Sequence, residues 1–252
     1  MKRVWAMVVV LLLGLGLTGC RAYADEAREK DAPEDSPAWV QALPEAEQAR
    51  QLFVVAGVGQ STAMVSLHEK DESGAWKQIL STPGFIGKYG LGKEAEGDGK
   101  TPVGTFTFNR AFGIAEDPGC AIAYRQVTQE DYWSGDQREG YHYNELVSLR
   151  DLPDLNIADS EHIADYTHEY QYCLNISYNA EGTPGLGSAI FLHCLGTFKP
   201  FTGGCVAIPQ EQMLTVMRHV QPDCVVVIDS MEKLGPEIWK GWGFDQTPPA
   251  DQ

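Results

Sequence analysis

Residues 187–209 read GSAIFLHCLGTFKPFTGGCVAIP, and the order of residue types in them organises the reading of the whole chain. Ala189 to Leu192 is a short apolar run of the kind that forms a buried strand, and His193 closes it. Turn formers follow at Gly196, Pro200, Thr202, Gly203 and Gly204, and they deliver Cys205. A second apolar run, Val206 to Ile208, leads to Pro209, which can begin a helix because its missing N–H would be unpaired there anyway. Side-chain alternation over Ala189 to Leu195 sets Phe191 and His193 on one face and Cys194 on the other, so Cys194 is read as packing.

A histidine at a strand end and a cysteine at a glycine-rich corner suit an imidazole base and a thiol nucleophile. A free thiol is only a few per cent thiolate at neutral pH and needs a neighbouring base or positive field. Histidine titrates near neutrality, so His193 can take the proton and return it to a leaving amine. Gly203 and Gly204 lack a Cβ, and their N–H groups, with that of Cys205, can turn toward a substrate carbonyl as an oxyanion hole. The plainer reading is a buried free cysteine beside a tight turn and a core histidine.

The segment HCLGTFKPFTGGC resembles the active-site motif of the L,D-transpeptidase catalytic domain, with His193, Thr202, Gly204 and Cys205 matching residue by residue. Gly203 stands where the usual motif has a second histidine, Ala207 stands where many members have Arg or Asn, and the loop is short, as in a TxGC form of the motif. A second block, DGKTPVGTFTF from Asp98 to Phe108, is similar to the family's TPxGxF signature at Thr101, Pro102, Gly104 and Phe106. The resemblance runs from about Gln51 to about Asp229. It implies a Cys205 nucleophile, a His193 base, substrate contacts at Thr202, peptidoglycan stem peptides as partners, and acylation by carbapenem-type β-lactams.

At 252 residues the chain has ample apolar content for a core, 43% hydrophobic against 21% charged. A net charge of −16 and a pI near 4.7 argue against nucleic acid as a partner. Residues 1–19 have a basic start and an apolar run from Val4 to Leu17, too short for the ~20 residues of a membrane span and suited to a secretory signal. Leu17-Thr18-Gly19-Cys20 resembles a lipobox, which makes Cys20 the expected lipid attachment point of an exported protein. Acyl chains there would hold it on the outer side of the cytoplasmic membrane, or on the outer membrane in a cell that has one.

Residues 20–48 are expected to be an acidic Ala/Pro-rich tether ending in a short helix that packs Trp39 and Val40, with Pro44 interrupting. Strand signals then recur over Leu52–Val58, Ala63–His68, Trp76–Ser81, Thr105–Asn109, Gln171–Asn179 and Cys224–Ile228. Met213, Val216, Met217 and Val220 share the face of one helix. Pro118 to His168, rich in aromatic and polar residues that include Tyr143, Asn144 and the Ser160-Glu161-His162 group, reads as the wall or cover of the cleft. Tyr143 and Asn144 are its candidate substrate contacts. Residues 49–235 thus form a mainly β (α+β), sandwich-like domain with one or two short helices, and 236–252 form a tail.

Cys120, Cys173, Cys194 and Cys224 can pair in three ways or stay free, and residue order does not choose. No CxxC pair exists and strand alternation opposes a zinc site, so neither metal nor cofactor is expected. Three functions fit: an L,D-transpeptidase, a carboxypeptidase or other hydrolase on the same scaffold, and a catalytically silent wall-binding lipoprotein.

Overall fold

The computed structural model describes residues 33–197 and 199–235. The signal segment, the Cys20 lipid site and the 236–252 tail lie outside the described residues. Among the described residues the chain from Asp35 to Gly235 forms one compact unit.

Its strands are β1 (Gln51–Val58), β2 (Thr62–Lys70), β3 (Trp76–Phe85), β4 (Gly104–Gly113), β5 (Tyr124–Gln126), β6 (Asp131–Trp133), β7 (Leu146–Ser148), β8 (Glu161–His162), β9 (Cys173–Ile176), β10 (Phe191–Cys194), β11 (Val206–Ile208) and β12 (Val225–Ser230). The main sheet runs β3-β11-β10-β9-β4-β12-β1-β2, and β2 pairs back onto β3, so the sheet closes on itself. The mainly β expectation holds, with a barrel-like core in which a single sheet supplies both walls. β5 extends the sheet beside β4. β6, β7 and β8 form a separate three-stranded sheet in the order β7-β6-β8.

Sequence pattern explains where each strand sits. β1 and β12 are parallel neighbours, with Phe53, Val55, Val226 and Ile228 facing the central core and Leu52, Val54, Ala56 and Val227 facing an outer apolar layer. Both faces are covered, which is why LFVVA and CVVVI read as unbroken apolar runs. The outer layer is completed by Trp39, Val40, Leu43, Ala46 and Ala49 from the short helix α1 (Ala38–Ala42) and the 3-10 turn after it, where Pro44 ends the α-helical hydrogen bonding. Helix α2 (Gln210–His219) and Val220, just beyond it, set Met213, Val216, Met217 and Val220 into the central core. Helix α3 (Met231–Leu234) follows β12 directly and buries Met231. Among the described residues no helix is long and apolar enough to cross a membrane.

Several strand boundaries differ from the expected ones: Gln171–Asn179 shortens to Cys173–Ile176 and Thr105–Asn109 lengthens to Gly104–Gly113, and two further shifts have a plain physical reason. β3 continues through Pro83 to Phe85 because β2 pairs with it along that whole length. β10 starts at Phe191, two residues later than the apolar run, because Ala189 has φ +54° and the chain turns there. A non-glycine residue at that φ is strained and persists only where neighbours hold it. Ala189 N donates to Asn144 Oδ1 at 3.0 Å, which supplies that hold.

Candidate active site

β10 and β11 run parallel, with Leu192 opposite Val206 and His193 opposite Ala207. Leu192, Cys194, Val206 and Ile208 point into the central core. The alternate residues Phe191 and Cys205 pack in a second cluster with Phe112, Trp133, Leu146, Ile163, Tyr170 and Cys173, and His193, Cys205 and Ala207 open on a cavity of about 790 Å³. The alternation expected at Cys194 is therefore present, and its sulfur faces the core. All five cysteines of the described residues are free thiols. Cys173 and Cys194 lie on adjacent strands but in different clusters, on opposite sides of the sheet.

The Cys205 corner is built by its loop and by the TPxGxF block together. Thr202 Oγ1 donates to Cys205 O at 2.6 Å and accepts from Gly204 N at 3.1 Å, a tight local turn. Thr101 Oγ1, fully buried, donates to Gly204 O at 2.7 Å and accepts from Gly87 N at 2.9 Å. Gly204 sits at φ +147°, and a Cβ there would come within 2.8 Å of Lys100 O, so this position requires glycine. Gly203 faces open space.

These bonds revise the expected oxyanion hole. The Gly204 N–H is already taken by Thr202, whereas those of Gly203 and Cys205 donate to no other residue among those described. Two donors are open to a ligand, not three. Thr202 lines the cavity, but its hydroxyl serves the turn.

His193 is held from its strand. Its Nδ1 lies 2.7 Å from Cys194 O; a carbonyl can only accept, so Nδ1 carries the proton and Nε2 is the free base. Tyr170 stands edge-on to the imidazole at 5.3 Å. The Cys205 sulfur accepts from Phe191 N at 3.3 Å and donates to Ala189 O at 3.1 Å.

The segment read as a cover does form one wall of the cavity, through Trp133, Gly135, Gln137, Ser160, Glu161 and Tyr166. Tyr143 and Asn144 stand behind it. Asn144 accepts from Trp133 Nε1 and Ala189 N and donates to Tyr178 O and Asn179 O, so every hydrogen-bonding position of its amide is filled by protein. The Tyr143 hydroxyl donates to Glu96, which also accepts from Ser188 Oγ at 2.7 Å and lines the cavity. Both residues position the wall. The residues that motif reading missed are Lys93, Glu96, Tyr166 and Tyr170, each brought to the cavity by tertiary folding. Among the described residues no three His, Cys, Asp or Glu side chains converge as a metal site needs.

Residues 59–228 match the family model described as the L,D-transpeptidase catalytic domain. The chain belongs to that family. No curated protein matches it. Among solved structures it is similar to the helical cell shape determining protein Pgp2 from Campylobacter jejuni, at 14% identity and a TM-score of 0.38, over 76% of this chain and 51% of that one. It thus spans about half the length of that protein.

Electrostatically, the candidate site rests in a neutral state. Burial draws the His193 pKa down to about 4, against smaller raising effects of the Cys194 carbonyl and Glu169. Burial, then the charge of Glu161, pushes the Cys205 thiol up to about 12. Imidazole and thiol are both uncharged at neutral pH, and no thiolate–imidazolium pair is preformed.

Proposed function

We propose that this L,D-transpeptidase domain is a cysteine-dependent acyltransferase acting on peptidoglycan stem peptides. One observation carries the reading: Cys205 opens on the same cavity as a histidine whose Nδ1–H is tied to a backbone carbonyl, leaving Nε2 as a base. The tie does for His193 what a third catalytic group does elsewhere, fixing tautomer and ring orientation.

In the acylation step His193 Nε2 takes the Cys205 proton as sulfur attacks the carbonyl that joins an L-centre to D-alanine. A C–S bond forms, and the oxyanion settles between the N–H groups of Gly203 and Cys205. The imidazolium then protonates the departing amine, D-alanine leaves, and the acyl group remains on sulfur. An amine from a second stem attacks the thioester, the C–S bond breaks, and the thiol is restored as an amide cross-link forms. The neutral resting pair makes proton transfer concerted with attack, because the free thiol does not ionise at working pH. Belonging to the family and the Cys205–His193 geometry support this reading over a silent binding module. The same proposal has the protein exported and lipid-anchored through Cys20, on the strength of the LTGC segment.

The test is incubation of the purified protein with a tetrapeptide stem. Release of D-alanine, an acyl mass on Cys205 and a cross-linked dimer are expected; carbapenem should also add to Cys205, and still do so in Cys194→Ala. D-alanine release with only tripeptide product would make the protein a hydrolase. An adduct that survives Cys205→Ala would overturn the nucleophile. A lipid mass on Cys20, absent from Cys20→Ser, checks the anchor.

A further inference from the structure

One titratable group in the cavity wall has no part in the acylation chemistry. Glu161 lies on β8, in the segment that covers the cleft, and lines the same cavity as Cys205 and His193. One of its oxygens accepts from Tyr170 Oη at 2.6 Å. Tyr170 is itself locked by stacking on Tyr166 at 4.5 Å and by edge contacts with His193 at 5.3 Å and Phe191 at 5.6 Å. The carboxylate is thus fixed relative to the imidazole through one intervening ring.

No Lys, Arg or His among the described residues lies within ion-pair distance of Glu161. Lys93, buried and lining the same cavity from another segment, is committed to Asp98 Oδ1 and Ala95 O, both at 3.0 Å. Glu96, also on the cavity, adds repulsion. Burial accordingly raises the Glu161 pKa, and the field of Glu161 raises that of Cys205. An enclosed carboxylate with hydrogen bonds but no counter-charge, facing a ligand cavity, is a cost to the empty protein that a cationic ligand removes.

We propose that Glu161 is the receptor for a substrate primary ammonium, the incoming acceptor amine, and the base that makes it nucleophilic beside the Cys205 thioester. The inference rests on the acyl-enzyme reading above. The ammonium gives one proton to the Glu161 carboxylate and becomes a neutral amine. Nitrogen attacks the thioester carbonyl, forming C–N; its second proton passes to His193 Nε2. The C–S bond breaks, and the Cys205 thiolate takes that proton back from the imidazolium. Glu161 releases its proton to solvent after the product departs. Tyr170 acts as a positioning residue, since its hydroxyl holds the carboxylate.

Two measurements on Glu161→Gln test this, and they separate the inference from the activity it rests on. First, Nα-acetyl-lysine amide, whose one charge is an ammonium, is titrated against wild type and E161Q by NMR, with Nα-acetyl-norleucine amide as the neutral match. Wild type should bind the lysine probe at least tenfold more tightly than E161Q does, and the norleucine probe should not distinguish the two. Equal lysine binding overturns the proposal even if no turnover is ever found. Second, in single turnover with a tetrapeptide stem, E161Q should release its one equivalent of D-alanine and leave the acyl group on Cys205 at a rate within a few fold of wild type, while transfer of that acyl group to an added amine falls about 10²-fold, an ordinary general-base effect. E161D should recover part of the transfer. Equal loss of both steps overturns the acceptor role in favour of a structural one, and undiminished transfer overturns it outright. Failure of wild type to acylate at Cys205, with lysine binding intact, would sink the acyltransferase reading and leave the ammonium site standing.

Discussion

The barrel and the segment that covers it are held together by different physics. Barrel strands pair along their length and bury apolar side chains: Phe53, Val55, Leu67, Leu174, Leu192 and Val226 are inaccessible to solvent. The cover, Pro118 to His168, has strands of two or three residues and is organised around buried polar hubs. Asp131 accepts from Arg125, Thr128 N and Thr128 Oγ1; Asp136 accepts from Arg138 and Asn156 N; Asn144 makes four bonds. Apolar burial is non-directional and tolerates breathing, whereas a hub fails if one partner is lost. The division of labour follows: His193 sits on a barrel strand, Cys205 sits at the corner that enters the next one, and the cover walls the cavity they share.

The sharpest way to break this comparison is to remove the barrel's chemistry. Cys205→Ala should abolish acyl-enzyme formation while leaving circular dichroism unchanged; turnover of stem peptide by this variant would mean that the nucleophile lies elsewhere. His193→Ala should slow acylation by about 10²–10⁴-fold, the usual size of a general-base effect. It would be read by mass spectrometry under single-turnover conditions, and a loss under tenfold would move the base to another residue.

Acid should separate the two regions. In the barrel, burial lowers His193 to about 4 and His68 to about 3. An unfolded histidine titrates near 6.5, so below that the unfolded chain takes up protons that the folded one refuses, and stability falls as pH drops from about 6.5 toward 3. The His193 share is on the order of 3 kcal/mol. In the cover, hydrogen bonding from Arg138 holds the Asp136 carboxyl well below its usual range. Its contribution persists down to ordinary carboxylate pH and is lost only at stronger acid. Urea midpoints at pH 7.5, 5.5 and 4.5 should therefore fall in wild type and fall less in His68→Gln; a flat profile would contradict the burial argument.

Asn144→Ala tests the cover alone. It leaves Trp133 Nε1 and Ala189 N without their acceptor, at a cost of about 2–3 kcal/mol. It should also release the strained Ala189 turn whose carbonyl holds the Cys205 thiol. Thermal unfolding reads the first effect and the rate of thiol alkylation the second, which should rise. No change in either would remove Asn144 from the positioning of the site.

The smallest effect comes from paired glycine variants. Gly204→Ala must adopt φ +147° against Lys100 O and should destabilise by about 1–3 kcal/mol. Gly203→Ala meets open space and should stay within about 0.5 kcal/mol of wild type. Similar losses from both would mean that the turn is held by something other than backbone conformation.

Much of the barrel is legible in the sequence. LFVVA announces a strand and CVVVI a buried one, and GSAIFLHC carries the period-two alternation that separates His193 from Cys194. Met213, Val216, Met217 and Val220 mark a helix face by spacing alone. These signals are local, because burial of a regular element imprints its own period on the residues. The HCLGTFKPFTGGC and TPVGTF blocks are legible as two motifs of one family, each with turn residues in particular places.

What only the tertiary structure decided has no such period. That Thr101 clamps the Gly204 carbonyl, that Gly204 N–H is unavailable to substrate, and that Asn144 holds Ala189 across 45 positions are facts of one hydrogen bond each between distant segments. Glu161 and Tyr170 reach the cavity from an irregular segment whose strands are too short to show alternation. A residue's charge is written in the sequence; the absence of a partner for it is a property of the assembled space around it. Strand period places a side chain on a face, but only closure of the sheet and docking of the cover determine what that face encloses.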